Sequence, residues 1–213
     1  MTEYITTFLL FFTSFFTLIN PLGVMPVFMT MTSSLDEKER NNTARKAVII
    51  AFFTLIAFAF SGHILFNFFG ISVDSFRIVG GVIFFLVGYD MLQARLGKTK
   101  IDESDIKTYV DDISITPLAI PMICGPGAIT NAIVLMEDAD TLVLKAILLG
   151  TIFAIMLVTY LILFSSSKII NFLGETGNKV MMRLMGLIVM VIAVEFFFSG
   201  LKPIIRDILN ITI

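Results

Sequence analysis

The sequence predicts an all-α membrane protein of six transmembrane helices, built as two inverted three-helix repeats with interrupted first and fourth helices. Three observations predict it. Hydrophobic residues make up 57% of the 213 and charged residues only 15%, where soluble domains carry about 25% charge, and mean hydropathy is +0.94. Long uncharged runs alternate with short charged connections. Two similar proline–glycine breaks recur 100 residues apart, Pro21 against Pro121 and Pro26 against Pro126.

The first run, Tyr4–Leu35, has 32 residues without an acidic or basic side chain, where about 20 suffice to cross a bilayer core. In its middle stands Asn20-Pro21-Leu22-Gly23-Val24-Met25-Pro26, which a straight helix cannot contain because proline removes a backbone donor and clashes with the preceding turn. The second span is Ala47–Val73. The third is Ile78–Tyr89, extended by flanks with single charges, and it closes a first repeat over about 1–93. A charged, Asp-rich linker follows from Ala94 to Asp112, too polar and short to be a domain. The second repeat, 113–213, opens with Ile113–Met136, interrupted at Pro121-Met122-Ile123-Cys124-Gly125-Pro126-Gly127. The fifth span is Ala146–Ser167, and the sixth grows from Leu184–Val194. The whole chain is one membrane domain.

The halves share further landmarks at offsets of 100 to 106. Asn67–Gly70 precedes the third span as Asn171–Gly174 precedes the sixth, Arg77 and Arg183 open those spans, and an acid follows each at Asp90 and Glu195. A repeat of three spans re-enters the membrane from the opposite side, so the copies are inverted, the arrangement that supports alternating access. Lysines and arginines concentrate in the first, third and fifth connections, which places that side inside and both termini outside.

Net charge is −2, and no basic patch points to nucleic acid. The single cysteine, Cys124, excludes a disulfide framework and a multi-cysteine metal site, and no cofactor is implied. The N-terminus lacks a positive n-region, so the first segment is expected to remain in the mature protein. One histidine only, no HExxH and no suitably spaced aspartate pair argue against an intramembrane enzyme. With no phosphate-binding loop, ATP is not the direct energy source.

The candidate site follows from the breaks. A restarted helix presents free N–H groups and the positive end of its dipole, and an ended one presents carbonyl oxygens. Pro21, Gly23, Pro26, Pro121, Gly125, Pro126 and Gly127 form the two breaks, and the glycines leave the wall to the backbone. Thr17, Asn20, Thr130 and Asn131 supply side-chain hydrogen bonds. Asp90, Glu195 and His63 are the candidates for ion coupling, since ionisable groups within a membrane are expensive. Arg77 and Arg183 snorkel.

Asn20-Pro21-Leu22-Gly23 with Pro26, together with Gly125-Pro126-Gly127-Ala128-Ile129-Thr130, resembles the MarC family of six-span membrane proteins over nearly the whole chain. The resemblance implies kinship with small neutral amino-acid transporters of the lysine-exporter-like superfamily, and a historical link to multiple antibiotic resistance. The expected function is secondary transport of a small neutral amino acid across the inner or plasma membrane, coupled to protons or sodium. The alternatives are a passive channel for small solutes and a non-transporting assembly protein. The partners are that solute and the lipid bilayer.

Overall fold

A computed structural model describes residues 2–93 and 106–209; for Thr2, residues 167–175 and Asn178 only the backbone is described. All regular structure among the described residues is helical: α1 (Thr2–Ile19), α2 (Pro21–Met31), α3 (Glu37–Phe69), α4 (Val73–Leu92), α5 (Ile106–Ile113), a loosely wound stretch Ser114–Ile123, α6 (Pro126–Glu137) and α7 (Leu142–Ile208). Five stretches are long and apolar enough to cross a membrane: Glu3–Met31, Glu37–Phe69, Val73–Leu92, Leu142–Ser166 and Lys179–Ile208. Ile106–Ile123 with Pro126–Glu137 passes the same test only as a pair bent by 59°. Most of the expected linker, residues 94–105, lies outside the described residues. Its last part is helix, because α5 begins at Ile106.

The helix starts are those that side-chain capping selects. Asp36, Ser72 and Thr141 each accept the amide N–H three residues on, from Glu39 at 2.7 Å, Ser75 at 3.0 Å and Leu144 at 3.2 Å, which satisfies a donor that the first turn leaves orphaned. Gly70 ends α3 at φ 63, a left-handed cap that glycine adopts without a Cβ penalty. The fifth and sixth apolar stretches, Leu142–Ser166 and Lys179–Ile208, are separate candidate spans within α7, on either side of the expected fifth connection.

The closest helix packing is between α4 and the second stretch of α7. A Cβ added to Gly81 would lie 2.7 Å from the Ala193 carbonyl, one on Gly88 would lie 2.8 Å from the Gly186 carbonyl, and one on Gly186 would lie 2.8 Å from the Gly88 carbonyl. Gly200 closes on the Asp74 carbonyl in the same way. As α4 advances through 74, 81 and 88, its partners in α7 retreat through 200, 193 and 186, so the two helices are antiparallel. They meet at a small residue on every seventh position. Small residues permit such close approach, and packing rather than water exclusion drives helix association in lipid.

The molecule has two distinct ends. At one, Lys46 is ion-paired with Asp111, the Tyr109 hydroxyl donates to the Met31 carbonyl at 2.9 Å, and Arg40 donates to the Thr32 carbonyl at 3.2 Å. Thr30 and Met182 also meet there, at 3.3 Å. At the other, His63 lies 3.5 Å from Glu137, and Arg77 pairs with Asp74 at 3.1 Å beside Gly200. The described parts of the first and third connections therefore share one end. Fully buried Phe15, Phe28, Leu55, Leu118 and Ile152 fill the core between them.

Candidate functional site

Both expected breaks exist, and they are built differently. At the first, α1 ends at Ile19, and Asn20 takes the left-handed conformation at φ 46, ψ 64. Asparagine tolerates this region better than other side-chain-bearing residues because its short amide bonds locally. Here Asn20 Oδ1 accepts the Gly23 N–H at 3.2 Å, and Pro21, which has no N–H to satisfy, opens α2. A cap lost at Asn20→Ala adds to left-handed strain, about 2–3 kcal/mol together. Asn20→Gly keeps the conformation and costs a few tenths of a kcal/mol. Thermal melts in detergent should therefore rank the parent and Asn20→Gly close together and Asn20→Ala well below.

At the second break the backbone is extended at Thr116 (φ −130, ψ 122) and Ile120 (φ −129, ψ 121). Each precedes a proline, which disfavours the helical region for its neighbour. The Cys124 N–H bonds back to the Ala119 carbonyl at 2.7 Å, and α6 restarts at Pro126. Its cap is Gly125, which offers no side-chain acceptor, so the N–H groups of Gly127 and Ala128 have no capping group. The two restart prolines are Pro21 and Pro126, 105 positions apart. The sequence reading paired Pro21 with Pro121 instead; Pro121 lies upstream in the irregular stretch.

The breaks converge. A small, partly open cavity of about 30 Å³ lies between them, lined by Leu18, Asn20, Gly23, Phe84, Met122 and Ile192 among others. At about 10–15 Å³ per water centre, it has room for one or two waters. The break glycines do not form an open backbone wall as expected. A Cβ on Gly23 would strike the Asn20 amide, one on Gly125 the Phe84 ring, and one on Gly127 would come within 2.5 Å of the Phe196 ring. Side chains already fill that space. Gly80, from α4, packs on the Pro126 ring.

Polar groups gather one turn further along α6. Ser14 of α1 donates to Asn131 Oδ1 at 3.0 Å. Asn131 Nδ2 and Thr130 Oγ1 are buried without a hydrogen-bond partner. Thr17, Thr30, Thr43, Thr54, Thr151 and Thr159 each donate to the carbonyl four residues back, as hydroxyls in helices commonly do. Thr130 does not, and an unpaired buried hydroxyl costs about 1–3 kcal/mol.

Of the expected site residues, Asn20 and Gly23 line the cavity; Pro21, Pro26, Pro121, Gly125, Pro126 and Gly127 belong to the two breaks but are not among its lining residues. Thr130 and Asn131 lie one turn into α6 and do not line it. Thr17 does not join them: it is exposed and bonded to the Thr13 carbonyl at 2.9 Å. Asp90 is half-buried near the end of α4, Glu195 is exposed on α7, and exposed His63 contacts Asn67 at 3.3 Å as well as Glu137. None of these three lines the cavity. Sequence reasoning missed Ser14 and Phe84. Ser14 lies one turn before Leu18 on a face that meets α6, and Phe84 follows Gly80 by one turn, but neither carries a motif.

Several helices long and apolar enough to cross a membrane, two of them broken within their spans, define a polytopic integral membrane protein. The chain belongs to the MarC family of integral membrane proteins, whose family profile matches residues 5–205. It is 42% identical over 202 residues to a UPF0056 membrane protein of Pyrococcus horikoshii, covering 95% of this chain and 98% of that one. A second such protein, from Methanocaldococcus jannaschii, is 38% identical over 197 residues, 92% of this chain and 96% of the relative. YvbG of Bacillus subtilis is 38% identical over 194 residues, 90% and 92% of the two chains. No solved structure matches.

Proposed function

We propose that this protein is a secondary transporter of a small neutral amino acid, and that it performs no covalent chemistry. The observation that carries this reading is the convergence of two helix breaks on one small cavity, which Asn20 and Gly23 of the first and Met122 of the second line. Irregular backbone at membrane depth is tolerated where protein buries it or where it lines a cavity, and discontinuous helices of this kind form transporter sites.

The breaks suit a zwitterion unequally. At α2 the Asn20 side chain already occupies the helix N-terminus. At α6 the N-terminus has no side-chain cap, and the unpartnered groups nearby, Thr130 Oγ1 and Asn131 Nδ2, are both donors. A substrate carboxylate belongs at α6, where the helix dipole also favours it. Carbonyls freed in the irregular stretch before Cys124 suit the ammonium group. Phe84, Met122 and Ile192 leave an apolar wall for a small side chain. The cavity is smaller than any amino acid, so binding requires the Phe84 and Leu18 side chains to move apart.

The proposed frame is six spans in two inverted repeats, counting the bent pair as the fourth. A shift of 105 positions carries Pro21 to Pro126, Gly81 to Gly186, Gly88 to Ala193 and Asp90 to Glu195. It also exchanges the Gly81–Ala193 contact with the Gly88–Gly186 contact, as a two-fold axis between antiparallel helices would. Coupling runs through a proton or sodium gradient; Asp90, Glu195 or His63 would act on it from outside the cavity.

Uptake of a labelled amino-acid panel into proteoliposomes, under imposed proton and sodium gradients, tests the function. Saturable uptake of a small neutral amino acid with counterflow of trapped substrate is expected. Flux without counterflow would indicate a channel, and no flux in any condition would remove the transport reading. In a variant lacking Cys124, cysteines at Thr2 and Thr212 should react with an impermeant thiol reagent on intact cells, while one at Thr99 should not. The opposite labelling pattern would invert the proposed topology.

A further inference from the structure

Away from the breaks, a groove runs between α3 and the first apolar stretch of α7 at the end of the molecule that carries the Lys46–Asp111 pair. Its outer part, about 370 Å³, is polar, with Lys38, Asn41, Asn42 and Arg45 of α3 facing Tyr160 of α7. Its inner part, about 270 Å³, is apolar, with Val48, Phe52, Phe153, Met156 and Leu157. Arg45 and Tyr160 border both parts, so the two are one continuous channel. Positions 38, 41, 45, 48 and 52 recur at helical spacing on one stripe of α3, and 153, 156, 157 and 160 do so on α7. At about 1.5 Å per residue, Lys38 to Phe52 spans about 21 Å.

Polarity along this channel changes in the order in which it changes along a phospholipid. Cations and amides stand at the outer end, a tyrosine at the boundary, and aromatic and aliphatic side chains inside. Two nearby charges are otherwise engaged: Lys46 is bound to Asp111, and Arg40 to the Thr32 and Leu35 carbonyls between α2 and α3. Glu39 also lines the outer part, so among the described residues two cations face one carboxylate there. Guanidinium groups match phosphate oxygens in charge and geometry, and basic pockets between membrane helices are suited to anionic headgroups.

We propose that this groove seats one anionic phospholipid, with its phosphate at Arg45 and Lys38 and an acyl chain laid over Phe52 and Phe153. The acyl chain lies along the seam where the Phe52 and Phe153 rings of α3 and α7 meet edge to face, 6.2 Å apart.

The chain has no tryptophan, which makes Phe153→Trp a unique fluorescent reporter. Phe153 is 60% exposed, so the larger ring is accommodated without repacking. In bilayers of matched composition, brominated phosphatidylglycerol should quench this tryptophan with an apparent affinity at least five-fold above that of brominated phosphatidylcholine. Adding Arg45→Gln and Lys38→Gln should bring the ratio to about one, with the melting temperature in zwitterionic detergent unchanged. Equal quenching by both lipids, or a preference that survives both substitutions, would overturn the proposal. Protection from both lipids would also overturn it, by showing that protein, such as a second copy of the chain, covers the groove. None of these outcomes depends on transport.

Discussion

Gly88→Leu should abolish accumulation of folded protein, the largest effect expected of any single substitution here. A Cβ at Gly88 meets the Gly186 carbonyl at 2.8 Å and the Met190 amide nitrogen at 3.0 Å. These are backbone atoms of another helix and cannot rotate away. Overpacking of this kind costs about 3 kcal/mol or more, and separating α4 from α7 would also open Gly81–Ala193 and Gly200–Asp74. Fluorescence-detected size-exclusion chromatography in mild detergent reads the outcome: loss of the monodisperse peak for Gly88→Leu and for Gly186→Leu. Val82→Leu, on the 46% exposed face of α4, should elute as the parent does. A well-folded Gly88→Leu protein would mean that the helices do not pack along this seam.

The second large effect divides function from stability. Thr130→Val replaces a buried hydroxyl that bonds to nothing with a methyl of similar size. If the hydroxyl served only the fold, the substitution would be neutral. Under the proposed function it removes a donor to the substrate carboxylate, which should cost about 1–3 kcal/mol of binding, roughly a 5- to 150-fold rise in the apparent KM for uptake. The melting temperature should hold or increase, because an unsatisfied polar group has been removed. Transport with parental KM would exclude Thr130 from the site. A lower melting temperature would show that the hydroxyl has a structural partner. Gly125→Val is a poorer probe, since its Cβ falls 2.7 Å from the Pro121 carbonyl and strikes Phe84, damaging packing and transport together.

Much of the architecture was legible in the chain because the bilayer leaves few choices. A backbone in hydrocarbon must satisfy its own hydrogen bonds, so uncharged runs of sufficient length become helices. Prolines within such runs tend to interrupt them, as Pro21 and Pro126 do at the two restarts, although α2 runs on through Pro26. The runs at Ala47–Val73 and Ala146–Ser167, and the breaks after Ile19 and Ile123, were readable on those grounds. The family was legible from the break motifs. Thr17 illustrates the limit: its position near a break is a sequence fact, but helix α1 turns its hydroxyl onto the Thr13 carbonyl. The prolines of the second break illustrate the same limit: Pro126, not Pro121, opens the restarted helix. Spacing cannot tell which of several prolines restarts a helix; that depends on which backbone turn closes first.

The sequence alone determined that this is a membrane protein of α-helices with two interruptions, because hydropathy and proline act locally and need no partner. Only the tertiary structure decided that Gly81, Gly88 and Gly186 form an antiparallel seam, that Phe84 and Leu18 close the space between the breaks, and that Asn131 meets Ser14 while Thr130 meets nothing. These contacts join residues 98 to 117 positions apart in the chain, as Gly88–Gly186 and Ser14–Asn131 do. Their energy depends on distances of a few ångströms between helices, which no local pattern of side chains encodes.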